Sequence, residues 1–516
     1  MDGGPYRSFI DRLRRLKRRL RDTQQALAHA QDYRTWREAA ASLDRHDGLD
    51  DWKADETSDL YDWRLIRSRL RHIRICREEG AVLRLAHHLR QGLHWNLGNV
   101  GNPEIYAHAR LGTKQLIVDY VAEVCSALEE LCETDDPSFG AGEKHKFFQE
   151  TAQSYGRSSL MLSGGATLGL FHVGVVKALF RENVLPVVMS GSSAGSIVAA
   201  TVGTRGPDEV ESLLDPESAY YHFWRVLNPK QMWRRRALMD QGQLRRAIAK
   251  NVKDLCFDEA YKLSGRIVNI TVSPAGANQP PRLLNYLTFP YLYLREAVLA
   301  SCAVPILFPP VLLMTRDELN ERTPWMPLLR WNDGSLKSDL PMLRLRRLHN
   351  VNHFIVSQTN PHVIPFQTRR EPGARGLVHG AKIYAGATVR SQASGLLKLA
   401  RQVLPIPSIG QTIDTATSIL DQDYRGNINI FPEVSLWRYA NVTKNPKLAD
   451  VQRFMFEGER AAWPRIEMIR IQTAIAQTLD RCVQRLEGRK VAPPAPIQPR
   501  KPGLRVVRSS QKPDAA

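Results

Sequence analysis

The sequence predicts an α/β fold in which a mostly parallel sheet is covered by helices, with an all-helical region before it and more helix after it. From about residue 158, short apolar runs bounded by glycine alternate with helical stretches, which is typical of a parallel sheet with helices on both faces. From about 33 to 150, and again after about 394, apolar residues instead recur at helical spacing. With 516 residues, 43% of them hydrophobic and 24% charged, the chain has globular composition and room for several domains.

The predicted boundaries follow changes in charge and composition along the chain. Residues 7–21 combine apolar side chains at helical spacing with arginines, which suits a helix lying in a lipid headgroup layer or one packing on its own protein. The helical periodicity is strongest from Ile117 to Leu131, and this region contains no catalytic motif. We predict five segments: a basic amphipathic segment at 1–32, a helical domain at 33–155, the α/β domain at 156–348, a strand and helix region at 349–488, and a basic, proline-rich, disordered tail at 489–516.

The net charge of +19 is concentrated at the two ends, because residues 1–22 carry +5 and residues 489–516 carry +6. A basic balance of this kind favours an anionic partner, either a membrane surface or a nucleic acid. The sequence contains no zinc-finger spacing or other recognisable nucleic-acid module, so no nucleic acid is expected as a partner.

Signals for secretion, membrane spanning and zinc binding are missing from the sequence. The basic N-terminus is followed by no uninterrupted apolar run, so no signal peptide is predicted. Three charge-free stretches, 158–176, 183–204 and 297–315, are broken by glycine, serine or proline and are predicted to be buried core. Six scattered cysteines without a C-x-x-C pair predict reduced thiols and no zinc site. We therefore expect a cytoplasmic protein that associates with membranes peripherally.

The strongest motif, Gly191-Ser192-Ser193-Ala194-Gly195, stands between an apolar run at 186–189 and a helical stretch. A strand, a tight turn and a helix in this order predict a nucleophile elbow, in which small neighbours allow the central serine a strained backbone. The Ser193 hydroxyl would then stand at a helix N-terminus, where the dipole favours developing negative charge. A structural turn is the alternative for so short a motif.

A glycine-rich stretch, Ser163 to Gly169, also follows a strand and opens a helix. Its backbone N–H groups suit either a phosphate or an oxyanion. The glycine spacing does not fit the dinucleotide-binding fingerprint, and no P-loop motif is present. An oxyanion hole beside Ser193 is therefore the better interpretation.

Asp333 and several histidines are candidate partners for the serine. Asp333-Gly334-Ser335 is by itself a turn signal, but Ser193 needs a base and no histidine lies in an obvious motif nearby. His172, on an apolar helix, is interpreted as a packing histidine. Four other histidines follow Asp333 in the order of a Ser-Asp-His hydrolase and remain an alternative: His349, His353, His362 and His379.

Three motifs in this order, LSGGATLGLFHVGVVKAL, GSSAG and DGS, resemble the patatin-like phospholipase family. The stretches GRIVNITVSP, RLLNYLTFP and ASCAVPILFPPV are also similar to that family. Upstream, YDWRLIRSRLRHIR and LHWNLGNVGNPEIYAHARLGTKQLI resemble the helical domain that precedes the patatin domain in fungal and plant triacylglycerol lipases. The resemblance covers about residues 35–440 and implies a three-layer α/β/α core.

The resemblance also implies a Ser-Asp dyad, with Ser193 as the nucleophile and Asp333 as the general base. The oxyanion hole would consist of backbone groups, and further motif residues would shape the turns: Gly164, Gly165 and Ala166 for the hole, and Gly169, Gly191, Gly195, Gly334 and Ser335 for the turns. The implied activity is hydrolysis of fatty-acyl esters of glycerolipids through an acyl-enzyme, with no cofactor and no metal. The implied partners are the glycerolipid and an anionic membrane or lipid-droplet surface, with the oligomeric state left open.

Ala166 and Leu168 depart from the family pattern, in which many members have a third glycine and a basic residue at these positions. The oxyanion would then be stabilised by backbone donors alone. Triacylglycerol lipases of the family share this departure, so a triacylglycerol-type neutral lipid is favoured. The alternatives are a phospholipase A or a lysophospholipid acyltransferase on the same dyad, or a catalytically inactive lipid-surface scaffold.

Overall fold

The computed structural model describes residues 4–213, 215–276, 279–360, 425–433 and 442–488. The first part of the described chain is helical. Its helices are α1 (Gly4–His29), α2 (Tyr33–His46), α3 (Leu49–Ala54), α4 (Trp63–Glu78), α5 (Val82–Gly92), α6 (Pro103–His108), α7 (Gln115–Glu133) and α8 (Ala141–Tyr155).

Strands and helices alternate after Tyr155, as the sequence predicts. The elements are β1 (Arg157–Leu162), α9 (Leu170–Arg181), β2 (Val188–Gly191), α10 (Ala194–Gly203), α11 (Pro207–Leu213), α12 (Pro229–Arg235), α13 (Gln241–Asn251), α14 (Phe257–Ser264), β3 (Ile267–Pro274), β4 (Arg282–Leu284), α15 (Leu294–Ser301), β5 (Met314–Arg316), β6 (Arg322–Pro324), β7 (Trp331–Asp333), α16 (Ser335–Ser338), α17 (Met342–His349), β8 (Val351–Ser357), β9 (Ile428–Ile430) and α18 (Leu448–Leu486).

The main sheet has the strand order β4-β3-β2-β1-β8-β9, with β7 paired to β3 as well. The pairings among β3, β2, β1, β8 and β9 are parallel, whereas β4 and β7 run antiparallel to β3. Every residue of β2 and of β3 is buried, as expected for strands covered on both faces. The predicted α/β fold, with helices before and after a mostly parallel sheet, is confirmed.

The edge of β3 brings two parts of the chain together. Gly191, at the end of β2, pairs with Ile270, and Asp333, at the end of β7, pairs with Val272. Because β4 occupies the opposite edge at these residues, β2 and β7 follow each other along the same edge of β3. The two partners on β3, Ile270 and Val272, are two residues apart, which corresponds to about 7 Å along a strand. The turn after Gly191 and the end of β7 are therefore neighbours.

The last helix, α18, joins the two regions. It packs against α9 of the α/β region and against α7 and α8 of the helical region, and all of these contribute to one continuous apolar core. Close approach of α9 and α18 depends on Gly174 and Gly458, because a side chain at either position would run into the backbone of the other helix. Both regions therefore share one core.

Several predicted elements differ in length or position from those observed. The helix predicted at 7–21 extends from Gly4 to His29, and the C-terminal helix predicted to begin near 464 begins at Leu448, with Pro464 inside it. The predicted boundary at 348 falls just before β8, which lies inside the main sheet. The five-segment division stays a prediction, and the tail at 489–516 lies outside the described residues. Among the residues that the structure covers, no helix is both long and apolar enough to cross a bilayer.

Candidate active site

Ser193 occupies a strained turn between β2 and α10. Its backbone has φ +49° and ψ −121°, a conformation that residues other than glycine rarely adopt. A side chain at Gly191 would run into the carbonyl of Gly195, and one at Gly195 into the carbonyl of Leu162. The turn therefore needs glycine on both sides of the serine, as the motif predicted.

Hydrogen bonds hold Ser193 in this conformation. Its N–H donates to Ser301 Oγ at 3.0 Å, and its carbonyl accepts from Ser196 Oγ at 2.6 Å and from the Cys302 thiol at 3.3 Å. Strain of this kind persists only where the surroundings over-determine it. The hydroxyl group itself faces a cavity.

Asp333 lies beside this serine and is completely buried. Its Oδ1 accepts hydrogen bonds from the N–H and the hydroxyl of Ser335, at 2.8 and 2.7 Å. Its Oδ2 makes no hydrogen bond of standard geometry with any described residue. The Ser193 hydroxyl is close enough to lower the pKa of this carboxyl. The two groups are therefore adjacent, and hydrogen bonds of this kind often tighten only with substrate.

Burial dominates the electrostatics of Asp333. Loss of solvent raises the pKa of the carboxyl to about 6, although the hydrogen bonds from Ser335 and the contact with Ser193 lower it. A carboxylate with a pKa near neutrality is suited to accept a proton from an alcohol. Nothing else in the described structure bonds to the free oxygen.

Gly334 and Gly169 fit the same tightly packed arrangement. A side chain at Gly334 would meet the carbonyl of Thr271, and one at Gly169 would meet Ala194. These contacts bring the turn after β7 against β3, and the turn after β1 against the start of α10. Both predicted motif glycines therefore pack where two backbone segments meet.

The glycine-rich stretch after β1 corrects one prediction. The N–H of Gly164 donates to Asp339 Oδ1 at 2.9 Å, and Gly164 does not line the cavity. Gly164 is therefore not placed to donate to an oxyanion. Gly165 and Ala166 do line the cavity, and within the described residues their N–H groups have no hydrogen-bond partner.

Ala194 offers a third N–H of the same kind. It follows Ser193, begins α10 and lines the cavity, and its N–H has no bond to another described residue. The residue after the nucleophile is the usual oxyanion donor at an elbow of this type. Backbone N–H groups without a partner among the described residues thus occur in two segments that line the same cavity as Ser193, at Gly165 to Ala166 and at Ala194.

Asp339 was missed by sequence reasoning. It is fully buried, accepts from Gly164 N–H and from the side-chain amide of Asn360, and burial raises its pKa to about 7. In the sequence it stands between Ser338 and Leu340, six positions after Asp333, and no motif marks it. Its role depends on contacts across the fold that no local pattern reveals.

The cavity has a volume of about 370 Å³ and a mostly apolar lining. Ser193 and Asp333 lie on its wall together with apolar side chains: Leu170, Val173, Ile197, Leu244, Leu307 and Phe308. A size of this order suits a small-molecule site. The lining favours an aliphatic ligand over a charged one.

The histidines of the described chain lie elsewhere. His172 is buried, with Nδ1 2.7 Å from Ser357 Oγ and Nε2 3.0 Å from the carbonyl of Ser163. Burial lowers its pKa to about 4, and the pKa values of His349 and His353 to about 4 and 3. None of the three lines the cavity. His362 and His379 lie outside the described residues, so their role stays a prediction.

Comparisons with known proteins agree with this architecture. Residues 160–346 match the model for patatin-like phospholipases, and residues 13–153 match a domain of unknown function, DUF3336. A protein of Schizosaccharomyces pombe, triacylglycerol lipase ptl3, is 33% identical over 485 residues, which cover 90% of this chain and 98% of that protein. The chain belongs to the patatin-like phospholipase family.

Two further relatives are longer than this chain. Triacylglycerol lipase SDP1L of Arabidopsis thaliana is 35% identical over 471 residues, which cover 87% of this chain and 57% of that protein. Triacylglycerol lipase 4 of Saccharomyces cerevisiae is 34% identical over 491 residues, which cover 90% of this chain and 53% of that protein. The chain thus spans little more than half the length of these two relatives.

Proposed function

We propose that the protein is a serine lipase that hydrolyses fatty-acyl esters of glycerolipids, with triacylglycerol as the favoured substrate. The observation that carries the proposal is Ser193, which has a strained backbone and lines an apolar cavity beside the buried carboxyl group of Asp333. The names of the three relatives, all triacylglycerol lipases, support the substrate class.

The proposed reaction is a two-step acyl transfer. Asp333 takes the proton of Ser193 as its oxygen attacks the ester carbonyl, and backbone N–H groups of Gly165, Ala166 and Ala194 stabilise the oxyanion. Collapse of this intermediate releases the alcohol, which receives the proton from Asp333 and leaves an acyl-serine. Water then attacks the acyl-serine with Asp333 again as base, and the fatty acid leaves.

The surroundings of the proposed oxyanion hole fit a neutral substrate. Leu168, at the position where many family members have a basic residue, is buried and apolar. The oxyanion would therefore depend on amide dipoles and on the N-terminus of α10, whose positive end points at the same place. Among the described residues that line the cavity no side chain is cationic, so they offer no ion pair to a charged head group. Peripheral association with a lipid surface belongs to the same proposal.

Fatty acid release tests the proposal most directly. Wild type and Ser193→Ala are assayed on emulsified triacylglycerol, diacylglycerol, phosphatidylcholine and lysophosphatidylcholine, and both are treated with an alkyl fluorophosphonate. We expect wild type to release fatty acid fastest from triacylglycerol and Ser193→Ala to lose at least about 10³-fold in turnover. The reagent should label only the wild type, by mass, on the peptide that contains Ser193.

Ser212→Ala is a matched control, because Ser212 is an exposed serine on α11. It should keep full turnover and full labelling. Release of fatty acid by Ser193→Ala at the wild-type rate would exclude Ser193 as the nucleophile. Faster release from phosphatidylcholine than from triacylglycerol would instead favour the phospholipase alternative.

A further inference from the structure

Four large apolar side chains on or next to chain segments that line the cavity are exposed. Val226, Leu238 and Ile306 lie on three non-helical segments and are 65%, 41% and 75% exposed, and Trp233 on α12 is 87% exposed. The segments are joined by backbone bonds: Val226 pairs with Met239, and the N–H of Leu238 donates to the carbonyl of Ile306 at 3.0 Å. We call Val226, Trp233, Leu238 and Ile306 the apolar patch.

The same segments form part of the cavity wall. Trp224, two residues before Val226, lines the cavity and stacks on Phe308 with ring centroids 6.1 Å apart. Leu307, next to Ile306, also lines it. Apolar surface therefore continues from the solvent-exposed patch into the cavity that contains Ser193.

Ile306 adopts an unfavourable conformation to reach this position. Its φ of +73° lies in the left-handed region, which is exceptional for a β-branched residue. Backbone bonds from Leu238 to Ile306 and from Met239 to Leu307, at 3.0 and 2.9 Å, hold the segment in place. Strained residues cluster at functional sites, and here the strain keeps an apolar side chain in water.

Basic residues are concentrated in the chain segment that carries Val226, Trp233 and Leu238 of the apolar patch. Residues 225–246 contain seven arginines and lysines and a single acidic residue, Asp240. Asp240 is buried and binds the side chains of Arg225 and Arg235. Three others make no ion pair with any described residue and are exposed: Lys230, Arg234 and Arg236, which we call the basic rim.

Exposure of apolar residues is not in itself special in this protein. Leu319 and Leu328 are 80% and 96% exposed. Leu319, however, lies in the turn between β5 and β6 among Asp317, Glu318 and Glu321, and neither leucine lines the cavity. The apolar patch differs because it has cations around it and continues into the cavity.

We propose that the apolar patch and the basic rim form the surface that seats the protein on an anionic phospholipid layer. The patch would enter the acyl region while the rim binds lipid phosphates, as in interfacial amphipathic segments. The lipid occupant is favoured by charge complementarity and by continuity with the cavity that a glycerolipid must enter. The inference rests on the proposed function, whose substrate would reach Ser193 from this layer.

The test measures flotation of the full-length protein with vesicles of phosphatidylcholine, with and without phosphatidylserine, at low and high salt. We expect Trp233→Ser with Ile306→Ser to lower vesicle binding at least tenfold on vesicles of both compositions. Lys230→Ala with Arg234→Ala should weaken binding about tenfold, only on anionic vesicles and chiefly at low salt. Because these side chains are exposed, thermal unfolding of each variant should match that of wild type.

Two control pairs match these variants. Leu319→Ser with Leu328→Ser removes equally exposed apolar residues, and Arg71→Ala with Lys146→Ala removes two exposed cations of the helical region. Both control pairs should bind vesicles as wild type does. Wild-type binding by the Trp233 and Ile306 double variant, or an equal loss in a control pair, would overturn the proposal. The proposal would also be overturned if the protein bound RNA more tightly than anionic vesicles and the Trp233 and Ile306 double variant bound that RNA as wild type does.

Failure of this inference can be told apart from failure of the proposed lipase activity. Vesicle binding is measured on Ser193→Ala as well, because docking does not need the nucleophile, and we expect it to bind as wild type does. Docking of a protein that releases no fatty acid would contradict the lipase proposal alone. If the Trp233 and Ile306 double variant releases fatty acid from an emulsion as fast as wild type does, that result would contradict the docking surface alone.

Discussion

Two buried aspartates, one in the helical region and one in the α/β region, differ in how many partners bind their carboxylate oxygens. Asp44 on α2 binds Lys53 Nζ at 2.9 Å and the backbone N–H groups of Arg110 and Leu111 at 3.1 and 3.0 Å, so both of its oxygens are paired. Asp333 is equally buried, yet its Oδ2 has no hydrogen bond of standard geometry within the described chain.

The difference separates stabilisation from reactivity. A buried carboxylate costs free energy unless cations and hydrogen bonds compensate for the lost water. Around Asp44 this compensation is complete, and the residue ties α2 to the segment after α6. Around Asp333 it is incomplete, and the remaining cost raises the pKa to about 6. A fully paired buried carboxylate thus holds the fold together, whereas an incompletely paired one beside a hydroxyl is ready to take a proton.

The largest expected effect comes from replacing each aspartate by asparagine. Asp333→Asn should lower turnover on a soluble ester by about 10³–10⁴-fold, because the amide cannot act as a base. Asp44→Asn should keep turnover but lose about 3 kcal/mol of unfolding free energy, because Lys53 and Arg110 lose their counter-charge. Turnover and urea unfolding at pH 7 measure the two effects.

Stability should move in the opposite direction at Asp333. A pKa raised from 3.8 to about 6 corresponds to a cost of up to about 3 kcal/mol at pH 7, and the neutral amide removes it. Asp333→Asn should therefore unfold at higher urea concentration than wild type. If both substitutions destabilise the protein equally, the contrast between the two aspartates is wrong.

An intermediate effect is expected for Asp339→Asn. The N–H₂ group of the new amide would face another donor, either the N–H of Gly164 or the side-chain amide of Asn360. The backbone that carries the N–H groups of Gly165 and Ala166 would then shift. We expect turnover to fall about 10–100-fold, less than loss of a whole oxyanion donor, with KM within about twofold. Steady-state kinetics on a soluble ester separate the two constants. A rise in KM at unchanged turnover would show that Asp339 shapes substrate binding instead.

The smallest effect is a dependence on pH. The base must be deprotonated, so kcat/KM should fall about tenfold per pH unit below about pH 6, the pKa to which burial raises Asp333. The folded state binds protons more readily than the unfolded chain at Asp333 and Asp339, so their contribution to stability improves as pH falls from about 7 toward 4. A flat rate profile down to pH 5 would contradict the role of Asp333.

The sequence predicts most of the fold and the centre of the site. Apolar runs that end at glycine marked β1 and β2, and the small residues around Ser193 marked the turn, because both signals are local. The three-residue strand β7 is too short to show a period, so Asp333 was only a candidate by elimination, and its role as the base came from the family resemblance. The early start of α18 was missed because proline usually marks the first turn of a helix.

The missed contacts join residues far apart in the chain. Gly164 and Asp339 are separated by 175 positions, and their bond forms only once β1 and the helix after β7 have packed together. The same holds for Ser301, which fixes the backbone of Ser193. Local patterns identify which groups can react, whereas the residues that orient them follow from tertiary packing.

The close pairing of α9 with α18 has a consequence for synthesis of the protein. Gly174 and Gly458 meet across the same core that the helical region completes. A nascent chain that ends before α18 leaves apolar faces of both regions open to water, and partly folded chains of this kind aggregate. We therefore expect neither region to complete its apolar core before the last helix has left the ribosome.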